Sequence, residues 1–234
     1  MSPIDDAVVW SVRMGVVPYL EALALQKRLE AARQRGRIPD VLLLLEHPPT
    51  YTRGRRSTAA ELPMGEAWYR AQGIEVVDTD RGGRVTYHGP GQLVGYPVVS
   101  LRPYGDDVHE YIRRMERLVV AVLEAYGITA GPVEGLTGVW TAEPRKIGSI
   151  GIHVSRGVTT HGFAVNVNND LQPFEWIVPC GMDNCRMSSV ARELGAAQHM
   201  DEFASLVTAE FARMFDREPI EVQAARLDEL EVAA

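Results

Sequence analysis

Lysine and cysteine are both scarce in this 234-residue chain, which has two lysines beside 22 arginines and only two cysteines, Cys180 and Cys185. Two cysteines five positions apart are too few for a disulfide framework and lack the second pair that a zinc site needs. No run of about 18 apolar residues is present, so no transmembrane helix is predicted. The first residues have neither a basic start nor an apolar core, so no secretory signal is indicated. We therefore expect a cytoplasmic protein with free thiols.

The charge balance limits the classes of partner. A formal net charge of −7 argues against general nucleic-acid binding, which needs a strongly basic surface. Arginines are nevertheless dense at a few places in the chain, namely Arg53, Arg55, Arg56, Arg81, Arg84 and Arg145. An acidic protein partner can dock on such a patch. A set of solvated loop arginines explains the same pattern, and the sequence alone slightly favours this interpretation.

Hydrophobic periodicity predicts one α/β domain over residues 1–234, because no linker or repeat interrupts the pattern. The longest helices are predicted at 18–35, 107–126 and 201–215, with Asp106 as the cap of the second, and a short helix at 66–72. Strands are predicted at 41–45, 74–77, 138–141, 146–154 and 158–167, and residues 46–65 read as a loop. The tail from residue 218 to 234 is expected to be helical or loosely attached.

Lys146 is the first candidate for chemistry. It lies in the glycine-rich run 145–151, in a chain that uses arginine almost everywhere else. An ammonium group can lose its proton when partly buried, whereas a guanidinium group stays charged. A lysine kept at this position therefore suggests proton transfer. A genome that favours arginine codons would also explain the ratio, although not the position.

Cys180 is the candidate nucleophile. Pro179 and Gly181 flank it, which predicts a turn and not a packed strand, and Cys185 lacks such a setting. The alternative is a buried structural cysteine, which is the usual fate of a free thiol.

Two further glycine-rich segments can approach a ligand closely. Residues 81–92 contain four glycines and a proline, with Arg81, Thr86, Tyr87 and His88 among them. The spacing matches no phosphate-binding loop, and Gly82 with Gly83 alone is equally consistent with a hairpin turn. Residues 161–168 repeat the pattern beside a strand, where His161 reads as a core histidine, as does His47.

These segments together resemble the octanoyltransferases of lipoate biosynthesis. The matching motifs are residues 81–92, 146–151, 161–166 and 179–181, in that order, with an earlier match at 46–55. The resemblance covers residues 46–190. It implies the fold of biotin and lipoate protein ligases, in which a mixed, mainly antiparallel sheet is flanked by helices.

The resemblance also implies roles for individual residues. Cys180 corresponds to the acyl-thioester nucleophile and Lys146 to the residue that lowers the pKa of that thiol. The acyl site corresponds to Arg81, Gly82, Gly83, Arg84, Val85, Thr86, Tyr87, His88, Ser149, Ile150, Gly151, Gly162, Phe163 and Ala164. The implied donor is octanoyl-acyl carrier protein. The implied acceptors are lipoyl domains of 2-oxoacid dehydrogenases and the glycine cleavage H protein. Neither ATP nor a metal is expected, and neither nucleic acid nor a membrane is an expected partner.

Three other functions remain open from the sequence. An ATP-dependent lipoate or biotin protein ligase shares the scaffold but needs no cysteine. A non-catalytic acyl-binding or carrier-docking module would never carry the acyl group on Cys180. A cysteine hydrolase would transfer the acyl group to water.

Overall fold

The computed structural model describes residues 7–178 and 185–228. The strands are β1 (Val8–Val16), β2 (Asp40–Glu46), β3 (Thr50–Arg53), β4 (Glu75–Asp78), β5 (Thr86–His88), β6 (Gln92–Val98), β7 (Ala130–Val133), β8 (Leu136–Thr141), β9 (Lys146–Ser155), β10 (Val158–Asn166) and β11 (Glu218–Glu221). The helices are α1 (Tyr19–Gln34), α2 (Glu66–Ala71), α3 (Val108–Ala125), α4 (Val190–Leu194), α5 (Met200–Phe215) and α6 (Ala225–Asp228).

An eight-stranded sheet forms the centre of the fold, in the order β11-β1-β2-β6-β10-β9-β8-β7. The apolar run of β2 lies inside it and is buried along almost its whole length. The pairs β11–β1 and β1–β2 are parallel, and the remaining pairs are antiparallel. The predicted fold class, a mixed and mainly antiparallel sheet flanked by helices, is therefore confirmed.

Helices cover both faces of this sheet. The alternating side chains of a strand point to opposite faces, so each face needs its own apolar cover. On one face α3 and α5 pack against residues such as Leu44, Val139 and Phe163. On the other face α1 packs against residues such as Leu43 and Ala164. The apolar stripe that predicts the helix at 107–126 is the buried side of α3.

A second, three-stranded sheet in the order β4-β3-β5 lies beside the first. Its core is largely aromatic: the rings of Tyr51 and Tyr69 meet edge to face with centroids 5.0 Å apart, and Tyr87 packs on Tyr51 and Phe174. Within the described ranges, no helix is long and apolar enough to cross a membrane.

Three expectations need correction. The segment 46–65 is not all loop, because Thr50–Arg53 forms β3. The cap of α3 is Asp107, whose carboxylate accepts the amide of Glu110, and not Asp106. Within the described part of the tail, residues 218–228, Glu218–Glu221 is not helical, because it pairs with β1 as an edge strand, where a proline is tolerated. Val222 and Leu227 then bury their side chains in the core beside α1.

Candidate functional site

A cavity of about 420 Å³ lies between the main sheet and the segment 81–88. Of the predicted acyl-site residues, all but Tyr87 line it, and Lys146 lines it too. Tyr87 instead packs in the aromatic cluster with Tyr51 and Phe174, because alternate residues of β5 point to opposite sides. The volume falls in the range of small-molecule sites.

Small residues on β9 and β10 make room for the cavity. Gly151 lies directly opposite Gly162, and Ser149 lies opposite Ala164. Because the residues of each strand are two positions apart, these four share one face of the sheet. A Cβ atom at Gly151 would lie 3.0 Å from the carbonyl oxygen of Gly82 and 3.3 Å from Cδ of Arg81, so this glycine lets the segment 81–83 approach the sheet closely. Val85, Ile150 and Phe163 give the cavity apolar walls.

Arg81 holds the cavity's cover in place. Its side chain is buried and donates to the carbonyl and hydroxyl oxygens of Thr52 at 2.7 Å each. The amide of Gly82 donates to the carbonyl of Ile152 on β9 at 2.8 Å. Gly83 has φ of +93°, a conformation that favours glycine. The segment 81–83 is therefore a braced loop between the two sheets.

Lys146 is buried at the start of β9, with 4% of its surface exposed. Its Nζ donates to the carbonyl of Thr137 at 3.2 Å and lies 5.0 Å from the centroid of the Trp140 ring. The register between β8 and β9 shifts at this point: Val139 pairs with Gly148, whereas Trp140 pairs with Lys146. Such a bulge re-aims a side chain, here that of Lys146 toward the cavity.

The main chain of Lys146 is fixed from the other side by the segment that follows Cys180. Its amide donates to the carbonyl of Arg186 at 2.8 Å, and its carbonyl accepts from the amide of Ser188 at 2.9 Å. Cys180, together with Pro179 and Gly181, lies outside the described residues. Cys185 is partly buried against the aromatic cluster.

Buried tyrosines and histidines form another part of the cavity wall, namely Tyr19, Tyr96, His88 and His161. His47, which the sequence predicts to be a core histidine as it does His161, packs against the rings of Tyr19, His88 and Tyr96 without lining the cavity. Nδ1 of His47 lies 2.6 Å from the carbonyl of Val17 and must donate to it, so Nε2 accepts from the Tyr96 hydroxyl at 2.7 Å. Burial lowers the pKa of His47 to about 4. Tyr19 and Tyr96 line the cavity, yet nothing in their sequence surroundings marks them.

His88 and His161 line the cavity as neutral groups. Burial lowers the pKa of His88 well below its ordinary value, and Nδ1 lies 2.7 Å from Oε1 of Gln92. Burial also lowers the pKa of His161, although the Asp80 carboxylate opposes this effect. His161 has φ of +57° within β10, and its amide donates to Oε1 of Gln26 at 2.6 Å.

The arginines near the rim differ in what they contact. Arg53 pairs with Asp78 at 2.6 Å and with Glu66 at 2.7 Å, and Arg84 pairs with the buried Glu61 at 2.6 Å. Arg145 pairs with Glu143 and Glu193. Arg55 and Arg56 are exposed, and their amides donate to the carbonyls of Arg81 and Gly83. Arg55 and Arg56 therefore present positive charge to solvent beside the segment 81–83.

No cluster of three or more His, Cys, Asp or Glu side chains suited to a metal ion occurs among residues 7–178 and 185–228.

This chain is similar to a known protein family and to curated members of it. Residues 18–212 match the family model of the lipoyl protein ligase A/B catalytic domain. The chain is 47% identical to the octanoyltransferase of Solibacter usitatus over 206 residues, which cover 88% of this chain and 92% of that protein. It is 46% identical to the octanoyltransferase of Myxococcus xanthus over 214 residues, covering 89% of this chain but 60% of that longer protein.

Solved structures resemble the chain in fold. A bipartite lipoate protein ligase from Thermoplasma acidophilum superposes with a TM-score of 0.73 at 20% identity, covering 97% of this chain and 91% of that one. A lipoate-protein ligase A bound with ATP gives 0.70 at 17% identity, covering 97% and 93%.

Proposed function

Since this chain belongs to the lipoyl protein ligase A/B catalytic domain family, and within it to the octanoyltransferases, we propose that it moves an octanoyl group from acyl carrier protein to a lysine of a lipoyl domain through a thioester on Cys180. Membership of this family identifies the chain as an acyltransferase that acts in protein lipoylation. The donor, the covalent intermediate and the residue roles are the parts that we propose.

The placement of Lys146 is the observation that carries the proposal. Its side chain lines the cavity, and its main chain pairs with residues 186 and 188, which follow Cys180 closely along the chain. The protein therefore anchors the segment after Cys180 at the same strand end that presents the lysine. Ordinary thiols are mostly protonated at neutral pH, so a nucleophilic cysteine needs a group that takes its proton.

In the first half-reaction the Cys180 thiol gives its proton to the neutral Lys146 amine. The thiolate attacks the thioester carbonyl of octanoyl-acyl carrier protein, and a new carbon–sulfur bond to Cys180 forms. The carbon–sulfur bond to the carrier breaks, and the Lys146 ammonium returns the proton to the leaving carrier thiolate. One thioester replaces another.

In the second half-reaction the acceptor amine attacks the acyl-Cys180 carbonyl. A carbon–nitrogen bond forms, the bond to the Cys180 sulfur breaks, and Lys146 takes a proton from the attacking amine before passing it to the cysteine thiolate. The product is an amide, which is more stable than the thioester consumed. We therefore propose that neither ATP nor a metal takes part.

The cavity has apolar walls that can contact the acyl chain, and its rim has exposed arginines that can contact the donor protein. Val85, Ile150 and Phe163 offer apolar contact to an alkyl group. Arg55 and Arg56 can attract an acidic carrier protein to the cavity mouth. The structural analysis of the Thermoplasma ligase also covers its E2 lipoyl domain, which supports a lipoyl domain as the acceptor. The acceptors that we propose are the lipoyl domains of 2-oxoacid dehydrogenases and the glycine cleavage H protein.

Intact-protein mass spectrometry tests the proposal. The enzyme is mixed with octanoyl-acyl carrier protein, without ATP and without acceptor. We expect a single octanoyl adduct that hydroxylamine removes and that Cys180→Ser lacks, whereas Cys185→Ser retains it. Transfer that appears only with free octanoate and ATP would identify a ligase instead. An adduct that releases octanoate without any acceptor would identify a hydrolase.

A further inference from the structure

One peptide group connects a buried carboxylate to the Lys146 ammonium. The peptide between Thr137 and Gly138 donates its N–H to Oε1 of Glu116 at 3.0 Å. Its carbonyl accepts the hydrogen bond from Lys146 Nζ at 3.2 Å. Because a peptide unit is planar, fixing its N–H also fixes the direction of its carbonyl.

Glu116 is buried, and each of its two carboxylate oxygens has a partner. It lies within α3 with 2% of its side chain exposed, a rare position for a carboxylate. Its second oxygen accepts from Arg113 at 2.7 Å, and that arginine is 54% exposed on the same helix. Burying a charge costs free energy unless it is paired and hydrogen-bonded, and Arg113 and the Gly138 amide meet these two conditions.

The backbone at Gly138 packs closely against the Lys146 side chain and against β9. Gly138 has φ of +132°, which favours glycine. A Cβ atom at this position would lie 2.8 Å from Cε of Lys146 and 2.6 Å from the carbonyl oxygen of Gly148. The lysine side chain therefore passes directly over the peptide that Glu116 orients.

We propose that Glu116 is a positioning residue for Lys146, acting through the Thr137–Gly138 peptide. The carboxylate does not touch the reacting atoms. It sets the carbonyl that holds the amine at the cavity wall, and chains of hydrogen bonds in a low-dielectric interior strengthen one another. This inference rests on the proposed function, in which Lys146 moves protons.

Two substitutions of Glu116 separate positioning from packing. Glu116→Met keeps the size of the side chain and removes the acceptor, and Glu116→Gln keeps an acceptor oxygen for the Gly138 amide. A side chain needed only to fill space would be replaced by methionine without loss of kcat, since exchanges that conserve volume cost little. We expect methionine instead to lower kcat by about 10- to 100-fold, as small misplacements of catalytic groups do.

The kinetic pattern adds a second criterion. The KM for octanoyl-acyl carrier protein should stay within about twofold, because the donor makes no contact with Glu116. Glu116→Gln should recover most of the lost kcat. Arg113→Met is the matched control: it removes the other partner of Glu116, leaves the bond to Gly138, and should keep kcat within about twofold of the unmodified enzyme.

Glu116→Asp covers the case in which methionine prevents folding. It retains the buried charge but shortens the side chain by one methylene, so the carboxylate no longer reaches the Gly138 amide, and we expect the same loss of kcat. Folded methionine or aspartate variants with full kcat would overturn the inference. Failure of the unmodified enzyme to form the Cys180 adduct would instead overturn the proposed function, so the two failures are distinguishable.

Discussion

Nε2 of His161 donates to Oδ1 of Asp80 at 2.7 Å, and this bond joins β10 to the loop that covers the cavity. Asp80 also accepts from Lys27 of α1 at 2.6 Å. The hydrogen bond from His161, more than any other contact, holds the pKa of Asp80 well below its usual range. Three elements therefore meet at one carboxylate beside the cavity wall.

Asp80→Asn should lower the free energy of unfolding at pH 7 by about 1–2 kcal/mol, the low end for charge-assisted hydrogen bonds because a third of the carboxylate is exposed. The folded-state pKa is lowered, so this contribution is present above about pH 4 and is lost as the pH falls further. Urea denaturation of both proteins measures it. Asp78→Asn, which changes a 78% exposed partner of Arg53, should stay within about 0.5 kcal/mol.

The buried neutral histidines predict a loss of stability in mild acid. The pKa values of His47, His88 and His161 are all lowered by burial, that of His47 to about 4. Each imidazole binds a proton near pH 6.5 only after unfolding, so stability is full above that pH and falls as the pH drops below it. The two strongly shifted imidazoles, His47 and His88, correspond to a slope of about 3 kcal/mol per pH unit near pH 5, and His161 adds to it.

Denaturant titrations at pH 7, 6 and 5 measure this slope. His47→Gln removes one of the protons that bind on unfolding, so it should reduce the slope by roughly 1.4 kcal/mol per pH unit. The substitution His109→Gln, on an exposed position of α3, controls for the amide side chain itself. An unchanged slope in the His47 variant would contradict the assignment of His47 as neutral in the folded protein.

The sequence predicted the elements whose pattern is local. The apolar stripe of α3 and the run of β2 each identify a buried surface without reference to the rest of the chain. The strand β3 was missed because it is only four residues long and its flanking prolines, arginines and glycine read as loop. The edge strand β11 was missed because its side chains are exposed, so no apolar alternation marks it.

The cavity could be predicted in part for the same reason. Glycines and small residues at 81–83, 149–151 and 162–164 indicate close approach to a ligand, whichever strands carry them. The contributions of Tyr19 and Tyr96 depend on how α1 and β6 pack, which no short motif records. The bond from Gly138 to Glu116 depends on a bulge and on residues 22 positions apart.

Charge reversal at Arg55 and Arg56 tests the rim as the donor's docking surface. Arg55→Glu with Arg56→Glu should weaken the binding of acyl carrier protein by about tenfold or more at low ionic strength, and the difference should shrink as salt rises. Arg53 is unsuitable for this test, because its reversal would break its pairs with Asp78 and Glu66. Binding is followed by fluorescence anisotropy of labelled carrier.

Arg35→Glu is the matched control for the rim. Arg35 follows the last residue of α1, whereas Tyr19, which lines the cavity, begins that helix about 24 Å away. The control changes the net charge as one rim substitution does, but far from the cavity mouth. If it weakens carrier binding as much as a single Arg55→Glu change, the effect comes from overall charge and the rim is not the docking surface.

Lys146→Arg separates proton transfer from charge. A guanidinium group stays protonated, so it can pair with a thiolate but cannot take a proton from the thiol or from the acceptor amine. We expect the rate of adduct formation on Cys180 to fall by about 100- to 10,000-fold, the range for loss of a general base. Lys27→Arg changes the only other lysine, a half-exposed partner of Asp80, and should leave the rate unchanged. A Lys146→Arg enzyme that still acylates Cys180 at the normal rate would remove Lys146 from proton transfer and leave it as a source of positive charge alone.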